Sequence, residues 1–190
     1  MKLKEKFLSR KYLYQGKILS FIIDNVLTPA HNSATREYIS HPGAVAILPF
    51  VDENNILLVR QFRYPVGKVL YEIPAGKIEK NKKESLKNCV LRELMEETGY
   101  TTTYNNVTLL FSFYPTPAFS TEKLHIFLAK NVKKSNNVEY VKDEDEFIEP
   151  LIISLDKSLE LVKEGKICDA KTVIALWGYV VLKGEGWLSG

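Results

Sequence analysis

Apolar and polar positions alternate along most of this chain at the short period of a strand. Residues 12–27 and 34–40 are rich in aromatic and β-branched side chains and predict strands around the turn-like TPAHNSA. VAILPFV (45–51) and ILLVRQFRY (56–64) are two further β-rich runs, and DENN (52–55) between them predicts a hairpin. LYEIPAG (70–76) is a short strand ending in a Pro/Gly turn. The rhythm then becomes helical. Asn81 and Glu84 read as an N-cap and capping box, and the helix runs to about Thr98, where Gly99 stops it. VTLLFSFY (107–114) and KLHIFLA (123–129) predict strands flanking PTPAFSTE. FIEPLIIS (147–154) is another, which Pro150 assigns to an edge or a bulge. SLDKSLELVKEG (154–165) predicts a helix ending at Gly165, and the last helix spans about Asp169–Leu182. Strands around one central helix, with two helices closing the chain, make a mixed α/β protein. There is no βαβ rhythm and no Gly-rich dinucleotide loop.

The central helix ends in an unusual charge run, LRELMEETGY (91–100). Such runs are usually solvated faces. Here Leu86, Cys89, Val90 and Leu94 define the apolar stripe, and at about 100° per residue Glu93 and Glu97 fall within it. Two carboxylates aimed inward one turn apart repel each other and lose hydration unless a positive charge compensates. Arg92 is one such charge. A divalent cation such as Mg²⁺ answers the problem better, because hard cations take carboxylate oxygens. Glu96 flanks the pair as a third candidate ligand.

Composition narrows the classes. At 190 residues, 45% hydrophobic and 26% charged, the chain is long enough for one domain with a proper core. A net charge of +3 is too small to argue for nucleic acid or an anionic membrane. The short run Lys80–Lys83 reads as a solvated loop. Cys89 and Cys168 sit in apolar helical patterns and read as buried thiols of a reducing compartment. His31, His41 and His125 have no metal-ligand spacing. The start is too polar for a signal peptide and ILSFII too short for a membrane span, so a cytoplasmic protein is expected.

Gly76, Glu84 and Arg92-Glu93-Leu94-Met95-Glu96-Glu97-Thr98-Gly99-Tyr100 resemble the Nudix box. That box reads Gly, five residues, Glu, seven residues, Arg-Glu-aliphatic-any-Glu-Glu-any-Gly-aliphatic. Two departures stand out. Seven residues separate Gly76 from Glu84, an insertion of two in the Lys/Asn loop, and Tyr100 replaces the aliphatic residue. REYISHPGAVAILPF, LVRQFRYP, YEIPAGKIE, YPTPAFSTE and EGKICDAKTVIAL resemble the ADP-ribose pyrophosphatase branch of that family. Pro115 stands where the branch has a proline about fifteen residues past the box, and Ala118 where it usually has glycine.

The resemblance implies a Nudix-type α/β/α sandwich with a mixed sheet and an N-terminal β-strand extension. Residues 1–40 would serve dimerisation and the substrate pocket, and residues 41–190 would form the hydrolase domain. It implies Mg²⁺-dependent hydrolysis of ADP-ribose to AMP and ribose 5-phosphate, with two or more Mg²⁺ ions and Mn²⁺ as a substitute. Glu93 and Glu97 would be the main ligands, helped by the Ala75 carbonyl, with Glu96 a ligand or its support. Arg92 would orient the glutamates. In the acidic loop DEDEF (143–147), Glu146 matches the metal-side residue and Glu144 the general base. Arg36 and Arg63 are the candidate phosphate contacts, since an arginine fork binds phosphate bidentately. Glu72 would bind a ribose hydroxyl or pair with an arginine, and Pro115 would line the substrate loop. Tyr12, Tyr14 and Phe21 are alternative adenine platforms. A homodimer is implied. The alternatives are a pyrophosphatase for another nucleoside diphosphate sugar such as GDP-mannose, or a nucleotide-sensing module without turnover. The intact Glu93, Glu96 and Glu97 argue against the sensor.

Overall fold

The first unit is built on an antiparallel sheet of β1 (Lys6–Gln15), β2 (Ser20–Leu27) and β3 (Ser33–Ser40), in that order. This is a computed structural model, and it describes residues 3–79, 83–136 and 147–188. The strand expected over 12–27 is two strands. The Gly16 amide donates to the Leu19 carbonyl at 2.9 Å and closes a turn between them. Ile22 and Val26 are buried, whereas all ten residues of β1 are exposed. Asp24 is also buried and accepts two 2.8 Å bonds from Arg10 and one of 3.0 Å from the Tyr38 hydroxyl. Those Arg10 bonds hold its carboxyl below the usual range. The segment Tyr114–Lys123 belongs to the same unit, with Ile39 donating to the Phe119 carbonyl at 2.8 Å.

The second unit comprises Ala44–Phe113 and Leu124–Gly190. β4 (Ala44–Pro49), β7 (Ala75–Lys77), β9 (Val107–Phe113) and β10 (Leu124–Ala129) form a mixed sheet in the order β7-β4-β10-β9. The β4–β10 pair is parallel and the other pairs are antiparallel. β5 (Asn55–Arg63), β6 (Lys68–Glu72) and β12 (Ile148–Ser154) form an antiparallel sheet in the order β12-β5-β6, so Pro150 lies on an edge strand. β8 (Tyr100–Thr101) and β11 (Lys133–Lys134) make a short antiparallel pair.

Alternation along the strands divides the core in two. Val45, Ile47, Leu57 and Phe127 pack with Cys89, Val90 and Leu94 of α1 (Leu86–Thr98). Ala46, Leu48, Leu58, Ile126 and Leu128 pack with Ala175, Leu176 and Tyr179 of α3 (Ala170–Gly184), beside α2 (Leu155–Lys163). Both faces of β4 are therefore covered, and all six of its residues are buried. The architecture is a mixed α/β/α sandwich.

Three local expectations change. DENN does close a tight turn, with Val51 donating to Asn55 at 3.0 Å and Asp52 accepting from the Asn54 and Asn55 amides at 2.8 Å. Yet β4 and β5 then part into different sheets, because each carries apolar side chains on both faces and needs two strand partners of its own. Helix α1 is capped by Ser85, whose hydroxyl accepts from the Asn88 amide at 3.2 Å, and not by an Asn81–Glu84 box. Asn81 itself lies outside the described residues. Cys168 is exposed, because it sits in the link before α3 rather than in a helix; only Cys89 is buried. No described helix is long and apolar enough to cross a membrane.

Candidate active site

Helix α1 carries the box residues because its apolar stripe must face the strands. Cys89, Val90 and Leu94 bury that stripe, and Glu97 lies buried with them at 6% exposure. Gly99, with φ of 73°, ends the helix by donating to Met95 at 2.9 Å. Three carboxylates converge on Arg92. Its Nη2 donates to Glu84 at 2.9 Å, and its Nη1 donates to Glu93 and to Glu96 at 2.7 Å each. Burial opposes the charged guanidinium, but these ion pairs outweigh burial and raise its pKa well above the ordinary value. Beside it, burial pushes the Cys89 thiol up to about 12, so this cysteine is inert.

The five residues Glu72–Gly76 run from the Arg63 ion pair to the carboxylates of α1, and each has a separate task. Glu72, 1% exposed, accepts bonds of 2.7 and 2.8 Å from Arg63 and another from Lys171. Ile73 is fully buried, and its amide donates to Thr172 Oγ1 at 2.9 Å. The Pro74 carbonyl accepts from Ile47 at 2.8 Å. The Ala75 amide donates to Glu97 Oε2 at 3.0 Å. Gly76 has no Cβ, and one built there would lie 1.8 Å from the Glu93 carboxyl carbon. Gly76 and Glu84, the two ends of the inserted loop, thus both keep their contacts with the helix.

This donor set suits a divalent cation. Glu93 and Glu97 stand one turn apart on the buried side of α1, and the carboxylates around Arg92 outnumber its charge by three to one. The Gly76 cradle seats one carboxylate directly against backbone. Among the described residues no group of three acidic, histidine or cysteine side chains is arranged to hold a metal ion, and Arg92 pairs with Glu93 and Glu96 at 2.7 Å each. Glu96 is the most exposed of these carboxylates, at 44%.

Arg63 and Glu72 are brought together as an ion pair. Burial alone would raise the Glu72 pKa, but Arg63 and Lys171 outweigh it and hold the carboxyl below its ordinary value. Arg63 is raised, first by its Glu72 bond, and it also feels the negative charges of Glu97 and Asp169. Arg36 and Pro115 lie in the first unit, where Arg36 pairs with Glu5 and donates to the Thr35 carbonyl at 2.8 Å. Glu144 and Glu146 lie outside the described residues. Lys171 and Asp169 were missed from sequence. The one available signal was a lysine in the first turn of α3, where the helix dipole disfavours it.

Comparison with known proteins supplies the context. The NUDIX domain model matches residues 40–173. The chain is 39% identical over 181 residues to an ADP-ribose pyrophosphatase of Bacillus subtilis, covering 95% of each chain. It is 39% identical over 173 residues to a methanol dehydrogenase activator of Bacillus methanolicus, covering 91% of each. A GDP-mannose pyrophosphatase of Escherichia coli is 32% identical over 182 residues, 86% of this chain and 92% of that protein. In fold, the structure is similar to a crystal structure of an ADP compounds hydrolase, with a TM-score of 0.79 and 22% identity over 96% of both chains.

Proposed function

The chain belongs to the Nudix family, and from that premise we propose that it hydrolyses the diphosphate of ADP-ribose to AMP and ribose 5-phosphate. The observation that carries the chemistry is the pair of inward carboxylates, Glu93 and Glu97, set one turn apart against the Ala75–Gly76 backbone. The 39% identity to an ADP-ribose pyrophosphatase over nearly the whole chain supports the choice of substrate.

Nudix hydrolases generally use a divalent metal, and we take Mg²⁺ as the ion, with Glu93, Glu97 and the Ala75 carbonyl as ligands and Glu96 and Glu146 completing the set. A bound divalent cation supplies charge neutralisation for the diphosphate and lowers the pKa of water. The chain's own residues do the rest. Arg92 keeps Glu93 and Glu96 in register. The buried Glu72 takes Nε and Nη2 of Arg63 and so fixes the guanidinium, and Nη1, outside that pair, is the proposed phosphate contact. Glu144 is the proposed general base. Arg36 and Pro115 are proposed substrate contacts on the resemblance alone. A homodimer is proposed through the N-terminal strands, supported by exposed Phe7, Leu8, Tyr12, Leu13 and Tyr14 on β1. The buried free thiol of Cys89 supports a reducing, cytoplasmic setting.

The test is a product assay on ADP-ribose, GDP-mannose, UDP-glucose, NADH, diadenosine polyphosphates and dGTP, each with Mg²⁺ and with EDTA. AMP and ribose 5-phosphate released fastest from ADP-ribose, and only with metal, is the expected result. Preference for GDP-mannose would favour the second reading, to which the 32% identical relatives point. Tight binding of one nucleotide with no turnover of any would replace the enzyme with a sensor.

A further inference from the structure

Lys171 is held at a cost that the roles above do not explain. It occupies the second position of α3, after Ala170 and the N-cap Asp169. There it faces the positive end of the helix dipole. Its side chain is only 11% exposed, so it also gives up rotamer freedom and hydration. Two carboxylates offset this. The ammonium donates to Glu72 and lies 3.1 Å from Asp169. Asp169 is itself fixed, accepting from the Thr172 amide at 3.1 Å and the Thr172 hydroxyl at 2.6 Å. Thr172 in turn receives the Ile73 amide, which ties the start of α3 to the residue after Glu72.

The result is a line of alternating charge, Asp169, Lys171, Glu72, Arg63. It runs from a helix cap at one end to a guanidinium that is 40% exposed at the other. Arg63 gives Nε and Nη2 to Glu72, and Nη1 is not part of that fork. With Glu72 as its sole neighbour, Arg63 would be a closed, neutral pair of little use to an anion. With Lys171 on the same carboxylate, the Glu72 charge is divided between two cations; Asp169 balances Lys171 at the buried end, and the group at the exposed end is the guanidinium. Arg63 is tied to Glu72, three residues before Ala75, whose amide donates to the box residue Glu97 at 3.0 Å, so one short segment carries contacts to both.

We propose that Lys171 is a positioning residue for substrate binding. By sharing the Glu72 carboxylate it fixes Arg63 and keeps that guanidinium positive toward the substrate diphosphate. This rests on the functional reading above. Lys171 does not touch substrate itself, because it is buried and directed at two carboxylates.

The experiment compares Lys171→Met, Lys171→Gln and Lys171→Arg with the unaltered protein on ADP-ribose with Mg²⁺. K171M is expected to raise KM about tenfold, the scale of one charge-assisted hydrogen bond, with kcat changed less than about threefold. K171R should restore KM, and K171Q serves where K171M does not fold. In an Arg63→Met background the K171M effect on KM should vanish, because Lys171 acts through Arg63. Additive effects in the double variant, or a fall in kcat at constant KM, would overturn the proposal. A second readout needs no turnover. The Arg63 Nε–H resonance of the substrate-free protein should shift in K171M, and an unmoved resonance overturns the charge sharing. Failure of the unaltered protein to hydrolyse any nucleotide sugar would overturn the proposed activity and leave that resonance test standing.

Discussion

Replacing Gly76 with alanine tests whether backbone contact positions Glu93. Gly76 lies in β7 opposite Val45, in strand backbone that alanine adopts readily. The new Cβ would lie 1.8 Å from the Glu93 Cδ and 2.1 and 2.3 Å from its two oxygens. Ordinary contact begins at 3.4 Å, so the carboxyl group must retreat by about 1.6 Å. It is the far end of a flexible side chain, and the fold has no need to move with it. The substitution also removes unfolded-state freedom, a gain of about 0.4–1 kcal/mol. Weakening the Arg92–Glu93 bond of 2.7 Å costs about 1–2 kcal/mol at this half-buried position. Stability therefore changes little, and Tm should stay within about 5 °C. Turnover should fall by about a hundredfold, the cost of a 1 Å misplacement in a reacting site. The assay is AMP release from ADP-ribose at saturating Mg²⁺, with a thermal melt on the same sample. G76A with kcat near that of the unaltered protein would refute the cradle. The cycle with Glu93→Ala adds a control: G76A in that background should cost nothing further, since the clashing group is gone.

Glu97→Gln keeps an acceptor for the Ala75 amide, so Tm should change by only a few degrees, while kcat falls about a thousandfold or more through loss of a charged ligand. Near-normal turnover would remove Glu97 from the site. Glu144→Gln should flatten the acid limb of the pH–rate profile, and Glu146→Gln should raise the Mg²⁺ requirement; two profiles like that of the unaltered protein would dismiss the acidic loop. Glu72 makes a prediction about acid. Its carboxyl is held below its ordinary value in the folded protein, so its contribution is complete above about pH 4.5 and is lost as pH falls through the folded value. Glu72→Gln should therefore cost about 3 kcal/mol at pH 7 and progressively less below pH 4. Parallel Tm curves for the two proteins across that range would contradict the sign.

What could be read from the chain and what could not follow from the reach of each signal. The stripe of α1, the inward Glu93 and Glu97 and the Gly99 stop all lie within a few residues of each other, so periodicity alone located them. The start of the same helix differs from the expected Asn81 cap, because Asn81 and Ser85 are both good caps and the choice depends on how a loop lengthened by two residues closes. The parting of β4 and β5 was out of reach for another reason. A four-residue turn is a local signal, whereas sheet partners are chosen by which strands must be covered on both faces. Glu72 marks the limit most clearly. As a glutamate beside apolar residues it was open between ligand contact and ion pair. Its partners lie 9 and 99 residues away, so no window along the chain contains them. Lys171 advertises itself only as a lysine at the wrong end of a helix. A residue that breaks a local rule needs a compensating partner, and a buried carboxylate needs a cation. Taken together, the two anomalies already point at each other: the buried carboxylate and the misplaced lysine each supply the charge that the other lacks.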